Sequence, residues 1–147
     1  MKVFKKIIAS LPYAAPFLFV DELLEVNEKG SKGKYRFHAD LPFYKGHFKD
    51  YPVTPGAILT ECCAQIGLVC LGIYLLKGQF KEKGKIALTS VEMEFLTPVF
   101  PNETVFVKSE KIYFRFNKLK CKVKMTDKEG NLVCKGVLAG ILKTTDA

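Results

Sequence analysis

Two titratable side chains near the middle of the chain are suited to moving protons at neutral pH. His47 lies in a Gly/Pro-rich loop, and Glu61 follows it in a stretch from Ala57 to Leu76 that has no other charged residue. An imidazole titrates close to neutral pH, and a carboxyl group forced into apolar surroundings has a raised pKa. Together the two groups indicate acid–base chemistry.

Each of these side chains also has an ordinary structural interpretation. An isolated histidine is often a hydrogen-bonded structural residue, and a lone glutamate usually points to solvent. Glu61, however, has apolar neighbours on every side of its predicted helix, and Gln65 follows at i+4 on the same face, where it can orient the carboxyl. We therefore favour a functional role for Glu61 and His47, whereas His38 lies on the polar side of a predicted strand and is interpreted as structural.

The sequence Thr54-Pro55-Gly56 is typical of a helix start. It predicts Thr54 as the N-cap, with its hydroxyl accepting from the N–H of Ala57, and Pro55 at the first helical position. The N–H of Gly56 would then be free to stabilise developing negative charge on a ligand. Ordinary helix starts have the same sequence, so a role for the Gly56 N–H in binding an oxyanion is supported only together with His47 and Glu61.

Length and cysteine content bound the class of protein. A chain of 147 residues with 48% hydrophobic content is large enough for one buried core, and we expect a single domain over residues 1–147. Five cysteines form no zinc-binding spacing, and the adjacent Cys62 and Cys63 diverge on a helix. We therefore expect reduced thiols, no metal and a cytoplasmic location.

Charge and hydropathy suggest what the protein contacts. The net charge of +8 favours an acidic partner, but the basic residues are spread along the chain and no nucleic-acid-binding motif is present. The apolar stretch 57–76 is long enough to cross a bilayer. Because Glu61 and Gln65 lie near its start and its flanks resemble sheet, we expect no membrane insertion.

The pattern of the chain predicts one long helix and a set of strands. Lysines alternate with apolar residues from Lys118 to Met125, as in a strand with one wet and one buried face. The predicted elements are a short helix at 1–10, strands at 17–26 and 34–39, the long helix, a polar helix stop at 77–85, and strands at 86–95, 104–116, 118–125 and 132–143. We expect an α+β fold in which an antiparallel sheet wraps around one central apolar α-helix.

Several motifs with fixed spacing resemble one known family. They are Leu11-Pro12, Pro16-Phe17-Leu18, Val20-Asp21, Gly46-His47-Phe48, Pro52-Val53, Pro55-Gly56, Glu61 with Ala64-Gln65, and Phe95 with Pro98-Val99 and Pro101. Over nearly the whole chain, these residues resemble the 3-hydroxyacyl-(acyl carrier protein) dehydratases of the FabZ type, which have the hotdog fold. The spacing of fourteen residues between His47 and Glu61 is similar to that of the family's catalytic pair.

The resemblance implies a homodimer, in many members assembled further as a trimer of dimers. It implies an active site made by His47 of one chain and Glu61 of the other. His47 would remove the C2 proton, Glu61 would help the 3-hydroxyl leave, the N–H of Gly56 would bind the thioester carbonyl, and the carbonyl of Val53 would hold the His47 ring. The substrate would arrive on the phosphopantetheine of acyl carrier protein, with no further cofactor.

The chain departs from this family at several positions. Tyr13 and Ala14 stand where His-Arg is usual, Lys49-Asp50-Tyr51 replaces Pro-Gly-Asn, and Thr54 replaces methionine. These departures leave the length of the substrate open. Two other functions remain as alternatives: a hotdog acyl thioesterase, which would hydrolyse the same thioester, and a non-catalytic acyl-binding protein.

Overall fold

The computed structural model describes residues 2–77 and 85–143. Its helices and strands follow one another as α1 (Lys2–Ala9), β1 (Glu22–Asn27), β2 (Gly30–Arg36), α2 (Gly56–Leu75), β3 (Lys85–Phe95), β4 (Thr104–Arg115), β5 (Lys118–Thr126) and β6 (Leu132–Lys143). A short 3-10 turn at Pro42–Lys45 precedes α2. Most of the predicted polar helix stop at 77–85 lies outside the described residues.

The six strands form one antiparallel sheet in the order β1-β2-β4-β5-β6-β3. On β5 the apolar residues Leu119, Cys121, Val123 and Met125 are buried, and the lysines between them face outward or lie at intermediate depth. The buried face packs against α2, which contributes more buried hydrophobic residues than any single strand. The predicted α+β arrangement, an antiparallel sheet around one long apolar helix, is therefore confirmed.

The predicted boundaries of the first two strands are wrong. β1 begins at Glu22 instead of residue 17, and β2 begins at Gly30 instead of residue 34. Residues 17–20 do not enter the sheet, because the Gln65 side chain takes the backbone groups of Phe17 and Phe19. β2 passes close to α2 at Gly33, where a Cβ would lie 2.9 Å from the Ile66 side chain, so only glycine fits there.

α2 is a continuous helix of 20 residues whose middle, Gln65–Val69, has π geometry. The hydroxyl of Ser31 on β2 donates to the carbonyl of Ile66 at 2.7 Å and contacts the hydroxyl of Ser109 at 3.0 Å. These contacts satisfy polar groups within the core, as burial requires. The helix is long and apolar enough to span a membrane, yet 72% of its most apolar window is buried inside the protein, so it is the core helix.

All five cysteines are buried, and none forms a disulfide. The closest thiols belong to Cys63 and Cys134, whose sulfur atoms are 3.9 Å apart. Burial raises the pKa of the Cys121 thiol to about 12, and it also raises the pKa values of Cys62 and Cys70. The pKa of Cys63 is raised by its hydrogen bond with Cys134 and by burial. At neutral pH these thiols are therefore protonated and weakly nucleophilic.

β3 is an edge strand with apolar side chains on its surface. Leu88, Val91 and Phe95 are 41%, 49% and 49% exposed, and β3 pairs only with β6 in the described sheet. An edge strand with exposed apolar side chains can pair with a further strand. The other edge strand, β1, exposes Leu24 but also Glu22 and Glu25.

Candidate active site

The start of α2 differs from the prediction at its cap. The N-cap is Pro55, not Thr54, and no side chain caps the helix. Thr54 cannot serve as the cap because its hydroxyl is bonded to that of Tyr44 at 2.6 Å, while its N–H donates to the carbonyl of Val99 at 2.8 Å. No acceptor among the described residues pairs with the N–H of Gly56. The helix therefore presents a free donor at its positive end.

The aromatic ring of Phe95 lies against Gly56. A Cβ atom at Gly56 would be 3.1 to 3.3 Å from three atoms of that ring, which is closer than ordinary van der Waals contact. Glycine therefore allows the strand β3 and the helix start to approach each other. Phe95 is half exposed, so a partly exposed aromatic ring lies beside the start of the helix.

His47 lies in the loop between the 3-10 turn and α2, and its ring is half-buried. Its Nδ1 is 2.9 Å from the carbonyl oxygen of Val53, while the N–H of Val53 donates to the carbonyl of His47 at 2.9 Å. A carbonyl oxygen can only accept, so Nδ1 carries the proton and Nε2 keeps a lone pair. This tautomer is the one required of a general base acting through Nε2.

The loop after His47 is closed by its own backbone. The N–H of Phe48 donates to the carbonyl of Tyr51 at 2.8 Å, and that of Tyr51 donates to the carbonyl of Phe48 at 3.0 Å. The ring of Phe48 stacks on His47 with centroids 4.2 Å apart, although it is 56% exposed. Lys45 and Lys49, two positions on either side of His47, are exposed. The imidazole therefore lies in an aromatic loop with a basic surface.

Glu61 lies in the first half of α2 and is oriented by Gln65. The side chain of Gln65 is fully buried, and its Nε2 donates to Oε2 of Glu61 at 3.0 Å and to the carbonyl of Phe17 at 3.0 Å. Its Oε1 accepts from the N–H of Phe19 at 2.7 Å. Burial raises the pKa of Glu61, and the Gln65 hydrogen bond opposes the rise only in part. The carboxyl therefore holds a proton at higher pH than an exposed glutamate does.

The structure groups the predicted site residues into two pairs within one chain. Val53 contacts the ring of His47, and Gln65 contacts the carboxyl of Glu61. No hydrogen bond joins His47 to Glu61 within the part of the chain that the structure describes. His38 is exposed, and no side-chain hydrogen bond joins it to either pair among the described residues.

Sequence reasoning missed two side chains at the site. Phe95 was named only among the motifs that resemble the family, and its contact with Gly56 joins elements far apart in sequence. Tyr13 was noted only as a departure from the family's usual histidine, yet burial, and after it the charge of Glu61, raises the pKa of its phenol. An aromatic residue at this position, where a polar one is usual, was the available signal.

The described residues contain no group of three or more His, Cys, Asp or Glu side chains that could hold a metal ion. The groups that they do present are a hydrogen-bonded imidazole, a half-buried carboxyl of raised pKa, and a free helix N–H. Such a set can remove a proton, donate a proton and stabilise an anionic oxygen. Together with an antiparallel sheet around one helix, it defines a hotdog protein equipped for acid–base chemistry.

Comparison with known families gives this class a name. The model of the FabA-like domain matches residues 11–140, so the chain belongs to the FabA-like family. The 3-hydroxyacyl-[acyl-carrier-protein] dehydratase FabZ of Caldicellulosiruptor bescii is 36% identical over 140 residues, which cover 94% of this chain and 96% of that protein. The FabZ of Clostridium perfringens is 33% identical over 130 residues, covering 86% and 88%. The resemblance inferred from the sequence motifs is therefore confirmed.

Solved structures with the same fold include proteins of different activities. The dehydratase heterocomplex ApeI:P from Xenorhabdus doucetiae aligns with a TM-score of 0.73 at 12% identity, covering 95% of this chain and 92% of that one. A hypothetical thioesterase with coenzyme A from Streptococcus pneumoniae aligns with a TM-score of 0.61 at 14% identity, covering 84% and 85%. At these identities the alignments show the shared hotdog fold only.

Proposed function

We propose that this protein dehydrates 3-hydroxyacyl-(acyl carrier protein) to trans-2-enoyl-(acyl carrier protein) in the synthesis of fatty acids or related acyl chains. The observation that carries the proposal is that the structure favours an unprotonated Nε2 on His47 and a protonated carboxyl on Glu61. Val53 leaves Nε2 of His47 free to accept a proton, and burial helps Glu61 to keep one. The FabZ relatives, alike over most of their length, support the same reaction.

The reaction uses each group once. Nε2 of His47 takes the proton from C2 of the substrate, and the electron pair left behind forms the bond between C2 and C3. The bond from C3 to its hydroxyl oxygen breaks, and that oxygen takes the proton of Glu61 and leaves as water. The N–H of Gly56 binds the thioester oxygen, on which negative charge develops when C2 loses its proton. Proton exchange with water then restores both side chains.

The exposed edge of β3 supports a homodimer in which both chains contribute to each site. Pairing of β3 with the β3 of a second copy would cover Leu88, Val91 and Phe95, which are about half exposed in one chain. It would also bring Phe95 and the helix start beside it to the interface. His47 of one chain would then meet Glu61 of the other, and three such dimers could associate further.

The substrate is proposed to arrive on acyl carrier protein. The net charge of +8 and the exposed Lys45 and Lys49 beside His47 suit an acidic carrier. The proton transfers need only side chains of this chain, so no cofactor is proposed beyond the phosphopantetheine that holds the acyl group. Five buried thiols and a buried core helix favour a cytoplasmic location.

Turnover of 3-hydroxyacyl thioesters of graded chain length tests the reaction. We expect the absorbance of a conjugated enoyl thioester to appear while no free thiol is released. Release of free thiol with the 3-hydroxyl retained would instead assign a thioesterase. Binding of the thioester without any chemistry over a long incubation would assign an acyl-binding protein.

Complementation tests the shared site. His47→Ala and Glu61→Gln chains with different affinity tags are co-expressed, and the mixed dimer is isolated with both tags. If each site uses one chain for each group, the mixed dimer has one intact site and regains about half of the wild-type rate, although both parent dimers are inactive. A mixed dimer as inactive as its parents would show that both groups must come from the same chain.

A further inference from the structure

The ring of Phe48 covers one face of the imidazole of His47. The two ring centroids are 4.2 Å apart and the ring planes are inclined by 23°, so the rings are stacked. Stacking of two flat rings is a favourable contact with a defined geometry. Phe48 is nevertheless 56% exposed and is not part of the buried core. Its side chain therefore contributes little to the stability of the domain, and its position is explained by the imidazole.

The backbone of the loop is held independently of the Phe48 side chain. The N–H of Phe48 donates to the carbonyl of Tyr51 at 2.8 Å, and the N–H of Tyr51 donates back to the carbonyl of Phe48 at 3.0 Å. Just before them, the N–H of His47 donates to the carbonyl of Phe43 at 3.1 Å. Because these bonds join backbone atoms, a substitution at position 48 removes the stacked ring and leaves the path of the loop in place.

The hydrogen bond to Val53 alone leaves one motion of the imidazole open. It holds Nδ1 at 2.9 Å from the carbonyl oxygen of Val53, but rotation of the ring about its Cβ–Cγ bond is only weakly restricted. A half turn about that bond would break the contact with Val53 and move Nε2 away from its present position. Midway through the turn, the imidazole would stand perpendicular to its observed plane, and its edge would overlap the stacked ring of Phe48. The stacked ring therefore blocks the rotation that the hydrogen bond permits.

We propose that Phe48 is a positioning residue, whose ring keeps the imidazole of His47 in the orientation in which Nδ1 faces Val53 and Nε2 faces the substrate. The effect on the reaction rate rests on the proposed function, whereas the effect on the imidazole does not. A general base acts only while its lone pair points at the proton that it removes, so time spent in other orientations is lost to catalysis. The substrate can bind in any of these orientations, and the loss should therefore appear in kcat and not in KM.

The matched variants are Phe48→Leu and Tyr51→Leu. Tyr51 is an aromatic residue of the same loop with a similar exposure of 59%, but its ring packs edge-on against Phe100, with centroids 5.8 Å apart. We expect Phe48→Leu to lower kcat by roughly tenfold with KM within about twofold of wild type. Tyr51→Leu should keep the wild-type kcat, and Phe48→Tyr, which retains a ring that can stack, should keep it as well. Equal kcat values for the two leucine variants would overturn the proposal, as would a Phe48→Tyr variant as slow as Phe48→Leu.

Magnetic resonance of the histidines separates this inference from the proposed function. The chain has two histidines, and the exposed His38 serves as an internal reference. With isotopically labelled histidine, couplings between the ring protons and nitrogens report which nitrogen is protonated, without any substrate. We expect His47 to carry its proton on Nδ1 in the wild type and in Tyr51→Leu, and to show a mixture of both tautomers in Phe48→Leu.

Each result of this measurement is decisive. A His47 ring in Phe48→Leu with the tautomer and proton shifts of the wild type would overturn the role of Phe48, whatever the rates are. A mixture of tautomers in Phe48→Leu would confirm that Phe48 orients the imidazole. If the wild-type protein with the same spectrum forms no enoyl thioester, the proposed function fails while the orienting effect of Phe48 remains.

Discussion

His47 and Glu61 are positioned by two different kinds of structure. His47 lies in a loop, where the backbone of Val53 holds its ring and the exposed Phe48 stacks on it. Glu61 lies on the core helix, where the fully buried Gln65 fixes it to residues 17 and 19. The proposed base therefore depends on local backbone contacts, whereas the proposed acid depends on the packing of the core. A change near the base should alter activity alone, and a change behind the acid should alter activity and stability together.

The largest effect is expected from His47→Ala. The variant removes the proposed base, so kcat should fall by about 10³- to 10⁴-fold, the upper range for loss of general acid–base catalysis. The melting temperature should stay within about 2 °C, since the half-buried ring lies in a loop. The control is His38→Ala, which removes the exposed histidine. A His47→Ala variant that keeps its rate would exclude His47 as the base.

Glu61→Gln should have the next largest effect. Glutamine can still accept the hydrogen bond from Gln65 and contact the substrate oxygen, but it has no proton to give. We expect kcat to fall by about 10²- to 10³-fold while the fold is retained. The rate of enoyl formation gives kcat, and circular dichroism shows whether the fold is retained. Glu110→Gln, which changes an exposed glutamate, is the control. If Glu61→Gln unfolds the protein, the carboxyl is structural and its assignment as the acid fails.

Gln65→Leu tests the buried support of the acid. It leaves the N–H of Phe19 and the carbonyl of Phe17 without their hydrogen-bond partner. Each unpaired group should lower the free energy of unfolding by about 1 to 3 kcal/mol. Loss of the orientation of Glu61 should also lower kcat by roughly tenfold. Ser109→Ala is the control, because it removes a buried hydroxyl that bonds to Ser31 away from the site. Comparable losses of kcat in both variants would mean that Gln65 acts only through stability.

The smallest effect concerns the pH dependence of stability. The raised pKa of Glu61 means that the folded state binds its proton more tightly than the unfolded state does. Its contribution to stability is therefore fully present below the unfolded pKa and is lost as pH rises through the folded pKa. The free energy of unfolding of Glu61→Gln relative to wild type should thus increase as the pH is raised from about 4, near the unfolded pKa of a glutamate, towards neutrality, as measured in urea titrations. A constant difference over this range would contradict the raised pKa.

The sequence was most informative where one periodicity extended over a whole element. β6 was predicted with its observed bounds, and the alternation in β5 gave its buried face, because both depend on repeated local patterns. The helix and the pairing of Glu61 with Gln65 followed from helical spacing. The assignment of the family followed from several motifs at fixed distances.

Predictions failed where a distant side chain competes for a backbone group or a hydroxyl. The local sequence makes Thr54 a good cap, but Tyr44 takes its hydroxyl. The apolar residues 17–20 look like a strand, but Gln65 binds their backbone instead of a neighbouring strand. The position of the Phe95 ring against Gly56 likewise depends on a contact between remote elements. Such contacts exist only after the chain has folded, and no spacing along the sequence encodes them.

The burial of every cysteine has a practical consequence for assigning the reaction. Because all five thiols are buried, a colorimetric thiol reagent should find no reactive sulfur on the native enzyme. Any colour that develops during an assay would then come from pantetheine released by hydrolysis. The native protein alone would give no colour with the reagent. The same inertness would let a cysteine introduced in place of the 98% exposed Phe116 carry a single dye.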